Sequence, residues 1–200
     1  MNRTFVKLVG LVFLVSFLSS CGTKVRRIDV KEQRDLSGRW NDTDSRLTAE
    51  AMIKDCLEHR WYRDAKMEFG GKPVVIVGTI SNLSSEHINT SVFIQDLQRA
   101  LINSNKVDFV ASSSEREEIR DERLEQDINA SELTRKPHGE EIGADYMLKG
   151  VVNSIEDKEG RKKVVLYQVN LKLYDLKTNK IVWVGESKFK KYIKKALFGL

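Results

Sequence analysis

The sequence is poor in the residues that most often do chemistry in proteins, with only three histidines and two cysteines among 200 residues. The histidines, His59, His87 and His138, lie in unrelated segments, and none has a second ligand at a metal-binding spacing such as HxxxH. The segment 70–72 (GGK) lacks the first glycine and the Ser/Thr of a phosphate-binding loop, and no serine lies in a GxSxG sequence. We therefore predict a protein that is not an enzyme and that uses no cofactor or metal.

A strong excess of one charge is also absent. The formal net charge is +5, and it falls to +3 without residues 1–20, because that segment contains Arg3 and Lys7 and no acid. This excess is too small for a nucleic-acid-binding protein, so we expect no nucleic-acid partner. Lysines cluster only near the end of the chain, at Lys188, Lys190, Lys191, Lys194 and Lys195. Such a run could contact anionic lipid or an acidic partner, or it could be a solvated terminus.

No hydrophobic run is long enough to span a bilayer. The apolar run from Leu8 to Leu18 has eleven residues, which suits the core of a secretory signal. It ends in Leu-Ser-Ser-Cys21, which resembles a bacterial lipobox, in which the cysteine becomes the lipidated first residue. The alternatives are an ordinary signal peptide with a chance cysteine, or a buried core segment. The resemblance implies a signal peptide over 1–20 and a lipid anchor containing palmitate on Cys21. Since Gly22 rather than an acid follows, it also implies an outer-membrane location facing the periplasm.

If Cys21 holds lipid, Cys56 has no partner for a disulfide, and we expect it to be a small buried hydrophobe. Residues 21–42 are charged, contain no proline and have few large apolar groups, so we interpret them as the lipidated N-terminus and a flexible tether. Twenty residues span at most about 70 Å. We place a single globular domain at 43–192 and a basic tail at 193–200.

The first helix of the body is predicted to begin within a residue or two of Thr43, where neighbouring side chains can accept hydrogen bonds from free backbone N–H groups. Its apolar residues then recur with helical spacing at Ala49, Met52, Ile53, Cys56 and Leu57. This stripe must pack against a core.

A strand–helix–strand unit follows. The run Val74–Val77 is typical of a strand buried on both faces, and we expect it to be the central strand. Asn89 can cap a second helix, and Val107–Ala111 fits a second strand, parallel to the first with a right-handed crossover. The charged segment 112–129 is predicted to be a helix at the edge of the domain. It has few apolar residues to bury, namely Ile119, Leu124 and Ile128.

The last part of the chain alternates like an antiparallel sheet. After a break at Pro137 we expect a short helix through Ile142, and then strands over 146–155, 163–176 and 180–190. The middle strand is the clearest, with one face made of Val165, Tyr167, Val169, Leu171 and Leu173. The predicted fold class is α/β (mixed α+β), with a mixed sheet of about five strands flanked by helices in a single domain.

Three segments together resemble a known family. They are GRWNDTDSR after the leader, KPVVIVGTISNLSSEHI, and the stretch that runs from GADYMLKG to TNKIVW. In this order they resemble the LpoB-type penicillin-binding protein activators over about residues 36–192. The resemblance implies a fold similar to the amino-terminal domain of TolB and to CsgG. It also implies a non-catalytic outer-membrane lipoprotein that binds a bifunctional peptidoglycan synthase and activates it, regulating cell-wall synthesis. The best-known members have a long Pro-rich arm, whereas this tether is short.

A second hypothesis is a structural lipoprotein of secretion or assembly, of the CsgG kind. The oligomeric state is left open.

Two polar patches are the predicted docking surfaces, because aromatic and Arg residues anchor many interfaces. The first patch consists of Arg39, Trp40, Asn41 and Asp42. The alternative for this patch is that its Trp staples the chain against the body while the residues after it only cap the helix. The second patch is the polar side of the strand over 163–176, with Gln168, Asn170 and Tyr174.

Overall fold

The computed structural model describes residues 25–29, 32–136 and 141–195. The chain divides into two compact units, 1–33 and 34–200. The described residues of the first unit form no helix or strand. The second unit begins at residue 34, which is earlier than the expected domain boundary at residue 43. Residues 34–41 therefore belong to the folded body.

The body contains four helices and five strands among the described residues. The helices are α1 (Asp42–Glu58), α2 (Arg60–Phe69), α3 (Thr90–Asn103) and α4 (Ser113–Asn129). The strands are β1 (Val74–Asn82), β2 (Asp108–Phe109), β3 (Tyr146–Glu159), β4 (Lys162–Asp175) and β5 (Ile181–Lys194). No described helix combines the length and the apolar character that crossing a bilayer requires.

The five strands form one mixed sheet in the order β2-β1-β3-β4-β5. β1 is parallel to both β2 and β3, and the remaining pairs are antiparallel. The predicted fold class and the parallel β1–β2 pair are confirmed. The prediction that β1 is central was wrong, because β3 holds that place and β1 lies beside the short edge strand β2. A run of β-branched residues indicates an interior strand but does not say which interior position it takes.

The first helix buries its predicted apolar stripe, and two predicted caps are present. Asn41 caps α1 through its side-chain oxygen, which accepts from the N–H of Asp44, and all five apolar residues of the α1 stripe are buried. Asn89 caps α3 in the same manner. The boundary between α1 and α2 was not predicted, since the break at His59 contains neither glycine nor proline.

Two of the three last strands, β3 and β5, are longer than predicted. β3 continues to Glu159 and β5 to Lys194, so the turn between β3 and β4 tightens to Gly160-Arg161. The expected basic tail at 193–200 therefore begins inside a strand. Residues 196–200 lie outside the described part of the chain.

α4 lies at the edge of the body, as predicted, but it buries none of its residues completely. Ile119, Leu124 and Ile128 are all exposed, contrary to the expectation that they would be buried. The predicted short helix through Ile142 falls partly on residues 137–140, which lie outside the described residues, and residues 141–144 are not helical.

The two faces of the sheet differ. α1 and α3 pack on one face, called here the covered face, which contains the five predicted residues of β4, each no more than 1% exposed. The opposite face, called the open face, carries exposed side chains along β3, β4 and β5, such as Lys149, Lys172 and Val184. Alternation along the strands thus produces a core on one side and a displayed surface on the other.

Candidate functional site

The first predicted patch lies on a segment, residues 34–41, that we call the strap. The ring of Trp40 packs edge-on against Phe93 and Tyr167, with centroids 5.9 and 5.7 Å away, and is tilted against Phe189 at 5.7 Å. Such aromatic contacts stabilise the folded state beyond simple area burial. The structure therefore supports the alternative that Trp40 staples the chain against the body.

A carboxylate joins the strap to the sheet. Glu86 Oε2 accepts hydrogen bonds from the backbone N–H of Trp40 at 3.2 Å and from the hydroxyl of Tyr167 at 2.8 Å. Burial, reinforced by the hydrogen bond to Glu86, raises the pKa of Tyr167 well above its usual range. Tyr167 is therefore a fixed, neutral hydrogen-bond donor beneath the strap.

A second clamp is Lys191, whose side chain is 11% exposed. Its Nζ lies 2.6 Å from Asp35 Oδ1, 2.6 Å from Asp44 Oδ2 and 3.0 Å from the carbonyl oxygen of Arg39. Desolvation acts to lower the pKa of Lys191, but the hydrogen bonds to Asp35 and Asp44 outweigh it, so the pKa is raised. This lysine holds the strap, the start of α1 and the end of β5 together.

The strap also needs Gly38. This residue has φ +69°, and a Cβ there would come within 2.3 Å of the side chain of Ile193. Only glycine combines that conformation with this close approach.

Within the first patch, the four predicted residues have different surroundings. Asn41 is occupied by capping, since it caps α1 and its Nδ2 donates to Asp35 Oδ1 at 2.7 Å. Arg39 and Asp42 have exposed side chains. The docking role of the patch stays a prediction, and Arg39 and Asp42 are the members free to serve it. The predicted lipidation residue, Cys21, lies outside the described residues.

The second predicted patch lies on the open face. Gln168 Nε2 donates to Asn170 Oδ1 at 3.0 Å and to Glu186 Oε2 at 2.9 Å, and Glu186 in turn pairs with Lys188 at 2.7 Å. These side chains sit on adjacent antiparallel strands whose pairing is continuous across this region. The patch is therefore an ordered polar surface at its centre.

Tyr174, the third predicted residue of this patch, lies further along β4 than Gln168, near the end of the strand, and lines an open groove of about 600 Å³. The groove crosses β1, β3 and β4, and Asn170 also lines it. Two of its lining residues, Lys149 and Lys172, were not among the predicted site residues. Sequence gives no direct signal for them because their proximity depends on strand register.

Lys191 was also missed, although the sequence carries a signal for it. It falls on the inward phase of β5, two residues from both Phe189 and Ile193, which contact the core cluster. A lysine at an inward position requires a buried acidic partner.

The side chains of the two patches carry amide, indole, phenol, guanidinium and carboxylate groups. Among residues 25–29, 32–136 and 141–195 no cluster of three or more His, Cys, Asp or Glu could hold a metal ion. Cys56, whose pKa burial raises to about 12, is an inert thiol in the core. What the described surfaces offer is hydrogen bonding, charge and shape, which are the means of binding a partner.

Comparison with known proteins identifies a family whose model matches most of the chain. The family model described as "Peptidoglycan-synthase activator LpoB" matches residues 44–189. No curated protein matches the sequence.

Solved structures with a similar chain path include two LpoB structures. The LpoB C-terminal domain from Salmonella enterica is 16% identical, with a TM-score of 0.41, over 73% of this chain and 98% of that chain. The NMR structure of E. coli LpoB is 15% identical, with a TM-score of 0.40, over 89% of this chain and 84% of that chain. Lipoprotein GNA1162 from Neisseria meningitidis is 16% identical, with a TM-score of 0.39, over 60% of this chain and 83% of that chain.

The family match runs from the first turn of α1 to the middle of β5, and it includes both the covered and the open face of the sheet. The chain therefore belongs to the LpoB family of peptidoglycan-synthase activators.

Proposed function

We propose that this protein is a non-enzymatic lipoprotein of the outer membrane that binds a bifunctional peptidoglycan synthase in the periplasm and activates it. The observation that carries the proposal is the family match over residues 44–189. The match does not favour the alternative of a structural secretion or assembly protein.

An activator of this kind needs a rigid surface more than it needs a cleft. A ligand shifts the equilibrium of its partner only by its differential affinity for the two states of that partner. A rigid surface loses little conformational freedom on binding, so more of its contact energy favours the active state. β3 and β4 meet these needs, because they pair without interruption from Tyr146–Asp175 to Glu159–Lys162.

We propose the open face as the main docking surface. It combines the polar residues Gln168 and Asn170 with exposed apolar groups, since Ile155 is 65% exposed, Val184 59% and Tyr192 62%. Such a mixture of apolar anchors and polar groups is typical of protein interfaces. The exposed Arg39 and Asp42 of the strap form a second, smaller candidate surface.

The proposed anchor is Cys21, and its test is fractionation. Cys21→Ala should abolish labelling by radioactive palmitate and release the protein from the outer membrane. The lipid-free variant should still fold, because the described body begins at residue 34. Persistence of Cys21→Ala in outer-membrane fractions would refute this anchor.

The synthase partner is tested directly with purified proteins. The full chain in detergent should bind one bifunctional synthase from the same cell and raise the rates of glycan polymerisation and peptide cross-linking. A heat-unfolded sample of the same chain is the control for non-specific effects. Failure to stimulate any synthase of that cell would contradict the proposed function.

A further inference from the structure

Two lysines face each other directly across the open face. In the antiparallel register of β3 and β4, Lys149 lies opposite Lys172, so both side chains project from the same face. Residues directly opposite in such a pair have Cβ atoms about 4.5–5.5 Å apart. Both lysines are exposed.

Neither charge is compensated within the described part of the chain, where neither lysine forms an ion pair. On β5, the residue opposite Lys172 is Val184. Beside Lys149, β1 has its irregularity between Val77 and Ile80. Some other lysines of β4 and β5 do pair with acids, as Lys163 does with Glu156 and Lys188 does with Glu186 at 2.7 Å. Like charges directly opposite each other destabilise a sheet, so this pair costs the free protein stability.

The lining of the groove around the pair has the composition expected of an anion-binding site. Its lining contains the two lysines and neutral polar groups, and no acidic residue. The neutral polar side chains of the lining are Thr79, Ser81, Asn170 and Tyr174. Hydroxyl and amide groups can donate hydrogen bonds to a carboxylate that the lysines attract.

The backbone of β1 comes close to the side chain of Lys149 at Gly78. Gly78 has no side chain, and a Cβ there would meet Lys149 Cγ at 3.2 Å and the sulfur of Met147 at 3.1 Å. The aliphatic stem of Lys149 therefore lies close against β1, where a side chain at position 78 would displace it.

We propose that the groove around Lys149 and Lys172 receives an acidic surface segment of the protein partner, whose carboxylates sit between the two ammonium groups. This inference rests on the proposed function, in which that partner is a peptidoglycan synthase. Charge complementarity selects the occupant: an uncompensated positive pair gains most from a negative partner. The neighbouring exposed Val184 gives a protein segment an apolar contact that a free anion would not use.

Binding measurements test the pair. Lys149→Met and Lys172→Met should each weaken binding of the full chain to the synthase about tenfold, and Lys172→Glu should weaken it further. The affinity of the wild type should also fall more steeply with salt than that of the double Met variant. Lys54→Met is the matched control, since Lys54 is an exposed lysine of α1 that forms no ion pair with any residue the structure describes. It should bind like the wild type.

Unfolding measurements test the same pair without any partner. In urea, the Met variants should unfold at the same or a higher urea concentration than the wild type, because each removes the repulsion. The double-mutant cycle should be non-additive, since the second substitution has no repulsion left to relieve. Strictly additive single effects would overturn the claim that the two charges interact.

The possible outcomes separate this inference from the proposed function. If the wild type binds a synthase and the Lys149 and Lys172 variants bind equally well, the groove is not the acidic site. If the variants retain the synthase but no longer cosediment with purified peptidoglycan, the ligand is a cell-wall carboxylate and the inference is overturned. If the wild type binds no synthase, the proposed function itself fails.

Discussion

The covered and open faces of β4 come from the same fourteen residues, yet they have opposite properties. Leu171 on the covered face is fully buried, whereas Lys172, the next residue, is exposed. The covered face holds the fold together through packing against α1 and α3. The open face contributes little burial and is therefore free to hold charges and polar groups that would be costly in a core. Strand alternation therefore separates stability from partner binding, so substitutions of neighbouring residues should have separable effects.

The largest effect is expected on the covered face. Leu171→Ala should lower the free energy of unfolding by roughly 2–5 kcal/mol, the usual cost of emptying a buried leucine site. Leu171 is 0% exposed, and the substitution leaves the open-face side chains in place. Urea unfolding followed by circular dichroism measures the loss. A loss below about 0.5 kcal/mol would contradict the claim that the covered face stabilises the fold more than the open face does.

The strap should behave like the covered face. Trp40→Ala should cost about 2 kcal/mol, less than a full core truncation because Trp40 is only half-buried. Arg39→Ala, one residue away and exposed, is the control and should change the unfolding free energy by less than about 0.5 kcal/mol. Equal losses for the two variants would remove the structural role assigned to the Trp40 ring.

A smaller effect concerns pH. Burial raises the pKa of Cys56 from 9.0 to about 12, so the folded state keeps its proton where the unfolded state loses it. The stability contribution is complete below pH 9 and is lost as pH rises toward 12. Between pH 8 and pH 10 the wild type should lose about 1.4 kcal/mol more than Cys56→Ala does. Identical pH dependence of the two proteins would show that Cys56 is accessible to solvent.

The smallest effect is expected on the open face. Asn170→Ala should change the free energy of unfolding by less than about 0.5 kcal/mol, since Asn170 is only partly buried and Gln168 keeps its bond to Glu186. The same urea titration used for Leu171→Ala measures it. A loss of 2 kcal/mol or more would mean that the open-face network is structural.

Local patterns in the sequence predicted much of this fold. The apolar stripe of α1, the caps Asn41 and Asn89, and the alternation of β4 are all encoded within a few turns or residues of chain, and all are present in the structure. These signals depend on helical and strand periodicity, which is a property of the local backbone.

Features that depend on distant contacts were not predicted. The central position of β3 and the opposition of Lys149 and Lys172 both follow from how strands far apart in sequence align. The strap was taken for tether because its charged composition resembles a linker, whereas Lys191 and Trp40 bind it to the body through residues far along the chain. Local composition does not reveal such partners.

The open face is proposed as the main surface that binds the synthase, and the exposed residues of the strap as a smaller one. The most direct measurement is stimulation of a purified bifunctional synthase by the full chain and by its Asn170→Ala and Arg39→Ala variants, with urea unfolding of each protein recorded in parallel. Both variants should unfold like the wild type, with a clear loss of stimulation for Asn170→Ala and a smaller loss for Arg39→Ala. Full stimulation by both variants, at unchanged stability, would contradict it.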